Sequence, residues 1–191
     1  MIDFSIPLKN NNFFSFSVES RRMLFAGSRN INLDQQLCLD LINAFGSLGF
    51  SFLTGCAEGV DRSFCEALAL SNYRDRTLVA CAFRERVKIF RGIFPLYVVP
   101  SNLPPKVALA KRTLWMTSSC ALLILFPSNP IGKGSSLAFK STIMSNKPVF
   151  IVTKTRAAYS DLYSVFPSNL FGVINGYWVI PPGYQDTGRS D

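Results

Sequence analysis

Short apolar runs, none longer than seven residues, recur along this chain and alternate with stretches spaced like amphipathic helices. That alternation limits the fold more than any other feature. The runs are Arg22–Ala26, closed by Gly27; Phe50–Thr54, closed by Gly55; Thr77–Phe83; Cys120–Phe126; and Pro148–Val152, with a short strand expected at Tyr97–Val99. Between the first two, Asn32 is placed to cap a helix and Gln35 to complete a capping box. That helix carries Leu37, Leu41, Ile42, Phe45 and Leu48 on one face and ends at Gly46 and Gly49. A second helix starts near Asp61, with Phe64, Ala67 and Leu68 on one face. A third opens on Pro104 and Pro105 and carries Val107, Ala110 and Leu114. A fourth, capped by Ser135 and Ser136, runs to Asn146. Strands alternating with helices predict an α/β fold: a Rossmann-like three-layer αβα sandwich around a mostly parallel sheet.

The tail has a different pattern. Asn175-Gly176 sits between apolar runs within 172–180, which is a two-residue hairpin signal. The chain therefore divides into an Asn/Ser/Phe-rich arm at 1–20, a main domain at 21–156, and a C-terminal extension at 157–191 with a β-hairpin and a flexible tail.

Composition excludes several classes. Apolar residues make up 48% and charged residues 17%, which is incompatible with a disordered chain. A membrane span needs roughly 20 apolar residues, so no membrane partner is expected, and the N-terminus lacks the pattern of a secretory signal. The five cysteines are odd in number and none forms a CxxC pair, which argues against a disulfide framework or a zinc site. Histidine is absent, so His-based catalysis and His-ligated metals are excluded. A reducing, cytoplasmic setting with no metal and no cofactor is expected.

The net charge of +8 is unevenly spread. Between Arg84 and Arg156 stand twelve Lys/Arg and one acid, Glu85. The remainder holds eight basic and eleven acidic residues. A basic second half favours a phosphate-bearing partner, nucleotide or nucleic acid.

Three loops each follow a strand and precede a helix, where a parallel sheet binds ligands. Gly27, Ser28 and Arg29 offer a sharp turn, a hydroxyl and a guanidinium for phosphate. The second loop runs through Gly55, Cys56, Ala57, Glu58, Gly59 and Asp61, and its glycines let backbone amides approach a ligand at a helix N-terminus. The third offers Gly132, Lys133, Gly134, Ser135 and Ser136. Lys111 and Arg112, two adjacent cations ahead of the Cys120 run, complete the candidate binding set. Glu58 and Asp61 are the carboxylates from which an acid/base pair could be built, although a helix cap for Asp61 and a solvated or ribose-contacting Glu58 are the favoured roles. Trp115 and Trp178 lie in apolar contexts and are expected in the core.

These segments, in this order, resemble the SLOG superfamily of Rossmann-like domains, closest to the DprA/Smf-type DNA-processing and YspA-like proteins. The resemblance rests on Phe25–Arg29, on Leu53–Asp61 with Ala67 and Leu68, on Lys111–Met116 and on Gly132–Ser136, and spans about Arg22 to Val152. It implies a pocket at the carboxyl edge of the sheet for a nucleotide or nucleotide-derived phosphate ligand. The alternative is single-stranded DNA, bound as in DprA with the help of the basic 84–156 segment. A second alternative is N-glycosidic hydrolysis of a nucleoside monophosphate, as in the LOG-type phosphoribohydrolases. The position of the catalytic Glu of those enzymes holds Phe139 or Lys140, so binding is expected rather than catalysis. Related domains often pair, which makes a homodimer the expected assembly if there is one.

Overall fold

The computed structural model describes residues 3–7, 13–17, 21–100, 102–154 and 162–182. Its centre is an eight-stranded sheet. Strand β3 (Arg22–Gly27) lies between β4 (Ser51–Gly55) and β7 (Leu122–Phe126), parallel to both. Beyond β4 come β5 (Thr77–Cys81) and β6 (Leu96–Val98). On the other side of β7 come β8 (Val149–Ile151) and then β10 (Ile174–Ile180) and β9 (Ser164–Leu170), an antiparallel hairpin whose inner strand continues the sheet. Strands β1 (Asp3–Pro7) and β2 (Phe13–Ser17) pair with each other in a separate two-stranded sheet.

Side chains in β3 and β7 point alternately to the two faces, as a strand buried on both sides requires. Met23, Phe25, Ile124 and Phe126 join one core with α1 (Gln35–Ser47) and α2 (Val60–Leu70), where Phe25 stacks on Phe64 at 3.8 Å between ring centroids. Leu24, Ala26, Leu123 and Leu125 join the other core with Met116 of α4 (Pro105–Ser118) and Ala138 and Ile143 of α5 (Lys133–Met144). The short basic helix α3 (Arg84–Phe90) leaves the sheet from the carboxyl end of β5. This is a Rossmann-type αβα architecture. Among the described residues no helix is long and apolar enough to cross a membrane.

Several local expectations are corrected. Helix α1 is capped by Asp34, not Asn32; its carboxylate accepts from the amides of Gln36 at 2.9 Å and Leu37 at 3.1 Å, and Gln35 begins the helix instead of boxing it. Gly46 is inside the helix, where the Tyr73 ring leaves no room for a Cβ, and Gly49 follows the end at φ +85°. Asp61 is not a cap either: Gly59 precedes α2 with no side-chain cap bond. Helix α5 starts at Lys133 behind Gly132, so Ser135 and Ser136 sit within its first turn. The inner face of α4 carries Ala108, Arg112 and Met116, while Val107 and Leu114 are exposed. The hairpin turns at Phe171–Val173, with Phe171 at φ 55° and Gly172 at φ 76°, rather than at Asn175-Gly176. Gly176 is inside β10 because a Cβ there would run into the Ile151 carbonyl and the Phe150 ring. Trp178 is fully buried, and Trp115 stacks on Tyr97 at 3.6 Å. The expected flexible tail at 183–191, part of the N-terminal arm and Arg156 lie outside the described residues.

Candidate ligand-binding site

Strands β4, β5 and β6 extend from β3 to one side and β8 follows β7 on the other, so the order reverses between β3 and β7. In open α/β sheets that reversal opens a crevice at the carboxyl edge. A cavity of about 600 Å3 lies there.

Its floor is built from the ends of β3 and β7. Gly27 pairs with Phe126, and a Cβ on Gly27 would collide with the Phe126 carbonyl and Val60. The amide of Ser28 donates to the same carbonyl at 2.9 Å. The Ser28 carbonyl in turn accepts from the amide of Val60, the first residue of α2, at 3.1 Å. Gly59 makes this approach possible: at φ +72° it passes directly beneath the Ser28 and Arg29 carbonyls. The first two loops are therefore joined to each other. The Ala57 amide is also engaged, donating to Asp61 Oδ2 at 3.3 Å.

This arrangement changes which predicted residues meet. Gly27, Ser28, Arg29, Ala57, Asp61, Arg112, Gly132, Lys133, Gly134 and Ser135 line the cavity. Gly55, Cys56, Glu58, Gly59, Lys111 and Ser136 do not. Glu58 is exposed and pairs with Arg62 at 3.2 Å, apart from the buried Asp61, so the two carboxylates form no acid/base pair. Asp61 is the one carboxylate on the cavity wall among the described residues, and it lies 3.5 Å from Arg112 Nη1. Burial pushes the Asp61 carboxyl up, opposed by Arg112 and by the Ala57 amide. Phe139 is half-buried and packs against the second core, and Lys140 is exposed, so neither supplies a carboxylate.

Helix α4 forms the far wall through Lys106, Leu109, Ala110, Thr113 and Met116. Lys106 and Thr113, like Asn30 and Ser128, were not among the sequence candidates. The signal for the α4 residues is their spacing of three and four, a single helical stripe on a different side of the helix from Lys111. Opposite stands the N-terminus of α5, whose first helical bond runs from the Ser136 amide to the Gly132 carbonyl at 2.9 Å. The amides of Lys133, Gly134 and Ser135 precede that bond and no side chain caps them. Such a helix end attracts anions. Arg112 adds a second feature: buried, and with Nη1 directed to Asp61, it leaves Nε without a hydrogen-bond partner.

In the second loop Cys56 directly follows β4, next to the strand that ends at Cys81, and Arg86 Nη1 donates to the Cys56 carbonyl at 2.8 Å. The Cys81 thiol, Arg112 and the Ala82 amide together lower the Cys56 thiol to about 6 against the opposing effect of burial.

No family model matches the chain, and no curated protein matches it in sequence. Solved structures do match it in fold. DNA processing protein A from Helicobacter pylori, described for its single-stranded DNA binding mode, superposes with a TM-score of 0.57 at 17% identity, covering 73% of this chain and 68% of that one. DNA processing protein A from Streptococcus pneumoniae superposes with a TM-score of 0.54 at 14% identity, covering 73% of this chain and 53% of that one. The chain thus has the DprA-type fold over about three quarters of its length.

Proposed function

We propose that the chain binds single-stranded DNA, with a backbone phosphate seated in the cavity between β3, β7, α4 and α5. The convergence of Arg29, Lys106 and Lys133 with the uncapped α5 amides on one cavity carries this reading. The buried guanidinium of Arg112 adds a cation on the same wall. The fold likeness to a protein described as binding single-stranded DNA supports it. Arg84, Lys88 and Arg91 on and just after α3 are exposed and extend the basic character of the surface. A free nucleotide is the second reading, favoured by a volume of about 600 Å3, which lies within the range of small-molecule sites.

Fluorescence anisotropy with a labelled oligothymidylate, repeated across salt concentrations, separates the two. Strand binding weakens steeply with salt, by a slope of about 0.7 per phosphate contacted. Tight competition by thymidine monophosphate with a shallow salt slope would instead favour the free nucleotide, and no binding of either would overturn both.

A further inference from the structure

The same edge of the sheet holds a second cavity, of about 1030 Å3. It forms where β8 ends, at Val152, Thr153 and Lys154, and where the antiparallel β10 begins, at Ile174–Tyr177. Because β10 runs opposite to β8, its start lies at the carboxyl edge of the parallel strands. The chain leaving β7 separates the two cavities: Pro127 lines the second and Ser128 the first. The two cavities therefore adjoin at consecutive residues of one segment.

The two cavities differ in chemistry. The first has a helix N-terminus and several cations, whereas among the described residues the second is lined by a single cation, Lys154, together with Tyr177 and with Asn169 and Asn175, whose amides bond each other at 3.0 Å. An aromatic face takes up any base by stacking, and amide side chains offer both donors and acceptors to base edges. Among the described residues the second cavity has no helix N-terminus to hold a lone phosphate monoester. A ligand tethered to an occupant of the first cavity enters at high effective concentration and needs none.

We propose that the second cavity receives the nucleotides next to the one held in the first, so that one strand crosses the edge over Pro127 and Ser128. Tyr177 stacks on a base and Lys154 meets the backbone phosphate. This inference rests on the single-stranded DNA reading above.

The test compares oligothymidylate and thymidine monophosphate on the wild type, Lys154→Ala and Tyr177→Ala. Each variant should lose about tenfold in oligonucleotide affinity, as expected for a stacked base or a lost phosphate contact. Monophosphate competition should be unchanged, and Lys154→Ala should lower the salt slope by about 0.7. An oligonucleotide carrying iododeoxyuridine should photo-crosslink to the peptide that contains Tyr177 in the wild type, a readout that does not depend on any variant folding. Undiminished oligonucleotide affinity in both variants, or crosslinks confined to the first cavity, would overturn this inference and leave strand binding intact. A wild type that binds no oligonucleotide overturns the strand reading itself, and the second site with it.

Discussion

Asp61 Oδ2 and Arg112 Nη1 stand 3.5 Å apart, with side-chain exposures of 6% and 8%, and join α2 to α4 under the cavity. A buried pair of this kind contributes little net stability compared with an apolar substitute, but removing one partner strands the other charge. Arg112→Ala is expected to cost about 3–5 kcal/mol in urea unfolding. Asp61→Asn combined with Arg112→Met should cost clearly less than the two single changes added together. Additive losses would show that the pair does not act as a unit.

Gly59 carries the junction between the first two loops. Its φ of +72° is a conformation that side chains rarely adopt, and a Cβ there would strike the Ser28 and Arg29 carbonyls. Gly59→Ala should lose at least about 1–3 kcal/mol from backbone strain alone, read as a lowered thermal midpoint. Gly134→Ala is the contrasting case, because nothing lies within 4 Å of the added carbon. It should leave the midpoint nearly unchanged.

The residues that were legible in the sequence are those whose surroundings are uniform. Strands β3 and β7 are buried on both faces, so they read as unbroken apolar runs, and Gly27 closes β3. Helix α4 was misread because its inner face is fixed by a buried guanidinium paired with Asp61, which hydropathy counts as polar. Lys106 lines the cavity and Lys111, expected there as a cation adjacent to Arg112, does not. Asn175-Gly176 carries a turn signal, but the glycine is there for close packing against Ile151 and Phe150. The engagement of the Val60 amide by the Ser28 carbonyl joins loops distant in sequence and leaves no local pattern.

Cys56 predicts a pH dependence. Hydrogen bonding from Cys81 lowers its thiol from 9.0 to about 6, with Arg112 and the Ala82 amide assisting. The folded value is below the unfolded one, so the thiolate adds stability as pH rises from about 6 toward 9 and that stability is lost as pH falls; above 9 Cys81, whose thiol the same bond and burial push up, draws stability down. Urea unfolding of wild type and Cys56→Ala at a series of pH values should show a wild-type advantage that shrinks over this interval. A difference independent of pH would show that Cys56 stays a neutral thiol.

Lys106 and Lys111 lie on the same helix and are both exposed, yet only Lys106 lines the cavity. If a phosphate sits between α4 and α5, Lys106→Ala should weaken oligothymidylate binding at low salt and reduce the slope of log affinity against log salt by about 0.7. Lys133→Ala at the N-terminus of α5 should do the same, and the two slope changes should add because the two residues line the cavity from different helices. Lys111→Ala removes the same charge from the neighbouring stripe of α4. It should leave the slope unchanged, since a charge that contacts no phosphate releases no counterion on binding. Equal effects from Lys106→Ala and Lys111→Ala would mean that the strand responds to the overall charge of the domain and not to this cavity.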